Sequence, residues 1–343
     1  MNIDSHYYEC ENCPEKIDLA LHEFDVTKEN RYAFFVDDIN IFDNFHMFKV
    51  GYVNTLTCKD CNIKIIDYKL IKNYYYNGVR QHQYYLEYLG VPTIEYNLMY
   101  GFTHFIPESA IEIKYDSNYN ISSVYVDSRK ENYPTYFNYT YIYEDDKLVK
   151  VELENNFVST FGITYDLKYK DNKISEVTYT LVSGNDISKR VYLFDDNEKI
   201  ISQVNYSIIN SQSLKTLETI YQNGCLREKK TWTYNSSTGQ LSSEANYQYE
   251  NVFDSNNNIL QHNNHDNTVS TTCTYNSNNQ MLSMACSGGT TYSFEYENDK
   301  LVKMIYGNIV FDYQYDDNKV TVCDNYGKSF LEIEYISDYK IAE

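Results

Sequence analysis

The chain has 343 residues, 42% hydrophobic and 16% aromatic, enough to bury a substantial core and to form two domains. A net charge of −20 repels phosphate backbones and anionic lipid, so nucleic acid and membrane surfaces are excluded as natural partners and a basic partner is favoured. The same charge keeps exposed sheet in solution.

The first residues, Met1 to Cys10, carry neither the basic region nor the apolar core of a leader, and no run is long and apolar enough to span a membrane, so a cytoplasmic location is expected. Residues 1–105 read as a small α+β domain. A short helix is expected over Glu15 to Phe24. Strands are expected over Arg31 to Val36, Met47 to Leu56, Asn62 to Leu70 and Tyr84 to Leu89. Asn77-Gly78 has the composition of a tight hairpin turn, and Val91 to Ile111, bracketed by Pro92 and Pro107, reads as a connector.

Two Cys-x-x-Cys pairs mark this domain: Cys10-Glu-Asn-Cys13 and Cys58-Lys-Asp-Cys61. Each pair can sit on a tight knuckle with both sulfurs inward, so that four thiolates close a tetrahedron around Zn2+. Four thiolates leave no open position, so the expected role is structural. The alternatives are four unliganded thiols, or a redox or disulfide pair.

From Ile111 to the end, a phrase recurs: an aromatic residue, two to five polar residues rich in Asp and Asn, then an aliphatic residue. Tyr143-Glu-Asp-Asp-Lys-Leu148, Tyr169-Lys-Asp-Asn-Lys-Ile174 and Tyr296-Glu-Asn-Asp-Lys-Leu301 are clear copies. The anchoring aromatics are Tyr115, Tyr143, Tyr169, Phe194, Tyr221, Phe253, Tyr275, Tyr296 and Tyr315, with Tyr335 opening a truncated last unit; spacings run from 19 to 32 residues. Within the longest interval, Tyr234 to Leu241 reads as a degenerate copy. Alternation in Tyr292-Ser-Phe-Glu-Tyr296 places alternate side chains on opposite sheet faces, and Asp and Asn supply the turns. The four prolines all lie in the first 134 residues, which suits an uninterrupted sheet beyond them. Residues 111–343 therefore read as an antiparallel meander of roughly 18–20 strands. The chain as a whole is mainly all-β.

The phrase, with an aromatic two residues before the anchor, resembles the YD repeat of RHS-type proteins. Tyr313-Gln-Tyr315-Asp316-Asp317-Asn318-Lys319-Val320 carries the resemblance best, and Tyr141-Ile-Tyr143-Glu144 is next. The copy at Tyr275 departs from it, because Cys273 stands in place of the earlier aromatic. The Gly and Arg usual in the family are largely Asp, Asn, Lys or Gln here. Long arrays of that family curl into a hollow shell around a toxic domain; an array of this length implies an open, curled sheet.

Other residues with chemical potential read as structural. Cys225, Cys273, Cys286 and Cys323 are expected to be buried small hydrophobes. His262 and His265, near Asp254 and Asp266, have a ligand-like spacing but read as solvated loop histidines. The carboxylate pairs Asp145/Asp146 and Asp316/Asp317 read as turn chemistry. Trp232, the single tryptophan, reads as a core or sheet-face residue. No P-loop, dinucleotide fingerprint, nucleophile elbow or His-Glu-x-x-His occurs. The Asn-x-Ser/Thr triplets at Asn120, Asn138, Asn205 and Asn235 are coincidental in an Asn-rich chain.

These features imply a non-enzymatic scaffold that binds a protein. Charge and resemblance together point to a basic partner, with an immunity-type or shielding role towards a toxin. The alternatives are a surface or secreted glycan-binding repeat protein, using Trp232 and tyrosines, and a carboxylate-dependent hydrolase.

Overall fold

The computed structural model describes residues 7–9, 16–18, 24–36, 45–59, 64–76 and 109–342. Within the last run, positions 129–134, 156–160, 185, 198, 199, 210, 224, 264, 267, 288, 290 and 328 are not described. Among the described residues the protein is all-β. Among the described residues, strands β1 (Tyr7–Glu9) and β2 (Lys16–Asp18) pair only with each other. Of the expected helix over Glu15 to Phe24, Lys16–Asp18 is extended instead and Phe24 opens a long strand; positions 15 and 19–23 lie outside the described residues. The expected Asn77-Gly78 turn, the strand over Tyr84 to Leu89 and most of the connector lie outside the described residues.

Strands β3 (Phe24–Val36) and β4 (Phe45–Cys58) contain the predicted strands Arg31 to Val36 and Met47 to Leu56, and β5 (Lys64–Tyr76) contains the predicted Asn62 to Leu70 from Lys64 on, Asn62 and Ile63 lying outside the described residues. They form hairpins in register, with Thr57 opposite Lys64. Gly51 is required where β4 crosses β5. Its φ is +146°, and a Cβ there would lie 2.0 Å from the Lys69 carbonyl oxygen.

Among the described residues twenty strands follow, β6 to β25. The first half comprises β6 (Ser109–Tyr115), β7 (Ile121–Ser128), β8 (Thr135–Glu144), β9 (Lys147–Asn155), β10 (Phe161–Lys170), β11 (Lys173–Ser183), β12 (Asp186–Phe194), β13 (Ile200–Ile209), β14 (Gln212–Gln222) and β15 (Cys225–Tyr234). The second half comprises β16 (Leu241–Gln248), β17 (Asn251–Phe253), β18 (Ile259–Asn263), β19 (Val269–Tyr275), β20 (Met281–Cys286), β21 (Thr291–Glu297), β22 (Lys300–Tyr306), β23 (Ile309–Asp316), β24 (Lys319–Asp324) and β25 (Ser329–Ala342). The expected long antiparallel meander is what the chain forms.

The sheet curls until its ends meet. Strand β5 pairs along one edge with β25, while its other edge serves β4 first and then β6. On the far side of the curl no ladder joins β16 to β17; the chain passes between two runs of hairpins through Tyr249 and Glu250. The sheet is therefore not a continuously laddered barrel. The first repeat turn docks on the early strands: Arg31 donates from Nε to the Tyr119 carbonyl (3.2 Å), and the rings of Tyr68 and Tyr119 lie 4.0 Å apart.

The repeated phrase has one structural meaning. Each anchoring aromatic pairs directly with the aliphatic residue beyond the turn, as in Tyr115–Ile121, Tyr143–Leu148, Tyr169–Ile174 and Tyr296–Leu301. Immediately before the aromatic the register slips by one residue, a β-bulge whose extra residue follows the aliphatic. The same slip precedes Phe194, Tyr221, Phe253 and Tyr275. The copy at Tyr315 lacks it, and Tyr315 is the more exposed for it, at 37%.

The bulge decides which positions reach the core. Two residues before the aromatic the side chain is buried, as at Ile113, Tyr141, Leu167, Tyr192, Phe294 and Tyr313. Cys273 fills this place in the Tyr275 copy and is buried too. After the bulge, the third residue beyond the aliphatic points inward: Val124, Val151, Val177, Met284 and Met304 are all buried. These layers join one apolar core with Tyr139, Tyr165 and Tyr179 at its centre.

Tyr335 does not open a further unit. It lies within β25 opposite Ile71, and the strand continues to Ala342.

Candidate functional site

The repeat turns line one rim of the sheet, in two forms. Two-residue turns place both central residues in the left-handed region: Asp145 and Asp146 (φ 48° and 60°), Asp171 and Asn172, and Asn298 and Asp299. The longer form runs Asp116 to Asn120, Asp254 to Asn258 and Asn276 to Gln280. There the leading side chain accepts two backbone N–H groups, as Asp116 Oδ1 does from Asn118 (2.8 Å) and Asn120 (2.9 Å). Asp254 repeats this arrangement, and those bonds hold its carboxyl below the ordinary value, Asn258 contributing most.

Adjacent turns are stitched side by side. Asn223 donates to Asn257 (3.3 Å), Asn256 and Asn258 donate to Asn279 (2.8 and 3.1 Å), and Asn278 donates to Asp299 (3.1 Å). Behind the rim, Lys147 lies over the Tyr169 ring and Lys300 over Tyr315, so the lysine that ends one turn covers the next anchor. The stitched part of the row runs from Asn223 to Asp299. Along the whole rim Asp145, Asp146, Asp196, Asp299 and Asp317 are exposed, and Asp195 is half-buried, its Oδ1 accepting from the Asn197 N–H (2.8 Å). Both predicted carboxylate pairs lie in this row, at turns between strands.

The row also corrects one prediction. The turns after Tyr221 and Tyr234 are consecutive in the meander, so they lie on opposite rims. The Asn223–Asn257 bond shows that the turns after Tyr221 and Phe253 share a rim. Tyr234 to Leu241 is thus a true turn but not a copy in the row, and the interval from Tyr221 to Phe253 is one long repeat.

Of the predicted zinc ligands, Cys58 is described: it is buried at the end of β4, opposite Phe24. Cys10, Cys13 and Cys61 lie outside the described residues. Among the described residues no group of three or more His, Cys, Asp or Glu side chains is placed to hold a metal.

Cys225, Cys273 and Cys286 are buried, as expected of small hydrophobes, and Cys323 is half-buried. Burial, with Cys286 beside it, pushes the Cys273 thiol up to about 12, and burial likewise raises Cys286. Both are held as thiols rather than as nucleophilic thiolates.

His262 is not a solvated loop residue. It lies on β18, 3% exposed, as the third residue beyond Ile259 and therefore in the inward position the bulge creates. Its Nδ1 is 2.6 Å from the Asn251 carbonyl oxygen Oδ1, and its ring stacks on Tyr249 at 5.7 Å. Burial pushes its pKa below the ordinary value. His265 is exposed and meets Tyr247 edge-on. Trp232 is a half-buried sheet-face residue with Lys215 Nζ 4.9 Å from its ring.

No family model matches the chain, and no curated protein matches it. Among solved structures it is similar to the crystal structure of TcdB2-TccC3-TEV, at 13% identity and a TM-score of 0.24, over 84% of this chain and 16% of that one. TcdB2-TccC3 without hypervariable C-terminal region aligns at 12% identity and a TM-score of 0.24, over 84% and 16%. TcdB2-TccC3-Cdc42 aligns at 11% identity and a TM-score of 0.15, over 83% and 19%. The chain spans less than a fifth of the length of each.

Proposed function

We propose that this chain is a non-enzymatic protein-binding scaffold of YD-like, RHS-like repeats whose partner is a basic protein, which it shields in the manner of an immunity-type protein. The observation that carries this reading is the row of aspartate turns. Hairpins recur every two strands, about 9–10 Å apart, so the turns between paired strands carry their carboxylates at that spacing before any partner arrives. Against a chain of net charge −20, such a rim would steer and orient a cationic surface. A structural Zn2+ on Cys10, Cys13, Cys58 and Cys61 belongs to the same proposal; it would brace the early strands and perform no chemistry.

The test is capture of partners from native lysate by the full chain and by the variant D145N/D146N/D195N/D196N. One stoichiometric basic protein, released by salt and lost with the variant, supports the reading. A companion that is acidic, or indifferent to those four substitutions, overturns it.

A further inference from the structure

We propose that the outer face of β11–β16 is a self-association surface that joins two copies of this chain sheet to sheet. Cross-strand partners share a face, so the ladders define it. One row runs Thr178, Val191, Val204, Glu218, Lys230 and Asn246, each opposite the next. Beside it, Lys189 faces Tyr206 and Tyr206 faces Lys215. Towards the rim away from the aspartate turns, Val182 faces Ile187, and Ile208 lies on the adjacent strand.

The outer face therefore mixes polar and charged residues with an apolar cluster of Val182, Ile187 and Ile208 near one rim, and only the inner face joins the core. Val182, Ile187 and Ile208 are 36%, 41% and 37% exposed. The three form a small contiguous apolar cluster on the outer face, which an interface would bury.

Charge selects the occupant. On this face and the adjoining strand β10, Lys168, Lys189, Lys215 and Lys230 stand among Asp166, Glu176, Glu218, Glu228 and Glu244. Most are already paired within the face: Lys168–Glu176 at 2.8 Å, Lys215–Glu218 at 2.9 Å and Lys230–Glu228 at 2.9 Å. In a chain of net charge −20 this face is nearly neutral. It offers no excess charge to a basic partner. It is also where two copies can approach without bringing their net negative charges into contact.

The size is adequate. Five inter-strand spacings of about 4.8 Å and three two-residue steps of about 6.7 Å give about 500 Å² per copy, or about 1,000 Å² for the pair. That is the lower bound for a specific interface.

Sedimentation equilibrium of the full chain up to about 100 μM, at low and high salt, tests the proposal. A dimer is expected, and salt should tighten it, because screening removes repulsion while apolar contact persists. That sign is opposite to the salt release expected of a basic partner, so the two proposals fail separately. Ile187→Glu with Ile208→Glu, at exposed sites that do not disturb folding, should weaken association at least tenfold, whereas D145N/D146N should not. A monomer throughout, a dimer loosened by salt, or a dimer indifferent to I187E/I208E overturns the proposal.

Discussion

The Tyr169 hydroxyl donates to the Leu148 carbonyl at 3.0 Å, so the anchor of one repeat is bonded to the aliphatic residue that closes the previous turn. The relation recurs from Tyr143 to Ile121 (2.9 Å), Tyr296 to Met281 (3.0 Å) and Tyr315 to Leu301 (2.7 Å). Tyr115 makes the equivalent bond to Ile71 (2.6 Å) and thereby ties the first repeat to β5. Even Tyr234, on the opposite rim, reaches the Lys215 carbonyl (2.9 Å). Tyrosine is thus favoured at the anchor over phenylalanine because its body fills the half-buried layer while its tip satisfies a carbonyl of the neighbouring unit. Burial pushes the Tyr143 phenol above its ordinary value, with Arg31 opposing, so it remains a donor across the working pH range.

Tyr169→Phe should therefore destabilise the fold by about 1 kcal/mol, the net value of one hydrogen bond whose acceptor is left behind. Phe194 and Phe253 show that the shape alone is tolerated. Urea unfolding of the two proteins checks this. A loss below about 0.3 kcal/mol would mean that water replaces the hydroxyl and that the anchor acts through packing only.

The turn after Tyr169 supports a prediction of opposite sign. Asp171 and Asn172 sit at φ 51° and 62°. Glycine adopts that region without a Cβ penalty, whereas a β-branched residue does not. Asn172→Gly should raise stability by roughly 0.5 kcal/mol, and Asn172→Val should lower it by about 1–2 kcal/mol. Thermal unfolding midpoints of both variants read the result. Equal midpoints would show that this turn relaxes out of the left-handed region when substituted.

Much of this was legible in the residues, and the misreadings have physical causes. The phrase from Tyr143 to Leu148 announces a strand, a turn and a strand, and nine such anchors lead directly to the meander. What strict alternation misses is the bulge. A period of two counted from Ile259 assigns His262 to the solvent face, whereas one extra residue at Leu260 turns it inward. Val124, Val151 and Val177 obey the same offset, so three residues beyond the aliphatic is the rule a reader of this sequence needs. Tyr234 misleads differently: composition identifies a turn but not the rim on which it lies, which depends on counting every strand before it. The joining of β25 to β5 has no local signal, because Leu331 and Tyr76 become neighbours only once the whole sheet has curled.

His262 carries a pH dependence whose sign can be worked out. Burial holds its folded pKa below the ordinary 6.5, so the unfolded chain takes up a proton first as pH falls. Its contribution to stability is therefore complete above pH 6.5 and is lost as pH falls through that value towards the folded pKa. As pH falls from 7.5 to 5.5 the native chain should lose more stability than His262→Gln, which keeps a donor for Asn251 but does not titrate. Urea unfolding at the two pH values measures the difference. Parallel losses in the two proteins would assign the pH dependence to the carboxylates instead.

Metal removal tests the proposed zinc site independently of any partner. Cys58 closes β4, whose hairpin with β5 feeds both β6 and β25, so a metal on Cys10, Cys13, Cys58 and Cys61 would brace the strand on which the two ends of the curled sheet meet. Binding energy at a thiolate site is folding energy, several kcal/mol in order of magnitude. The expected result is one zinc per chain after purification without added metal. A strong chelator at neutral pH should release it and lower the thermal midpoint, with amide exchange rising first in β3–β5. Cys13→Ser and Cys61→Ser should each lose the metal, whereas Cys323→Ser, at a half-buried cysteine outside the proposed ligand set, should keep it. Protein that purifies without zinc and takes none up on refolding would assign these cysteines to plain burial, and β4 would then be held by its ladders alone.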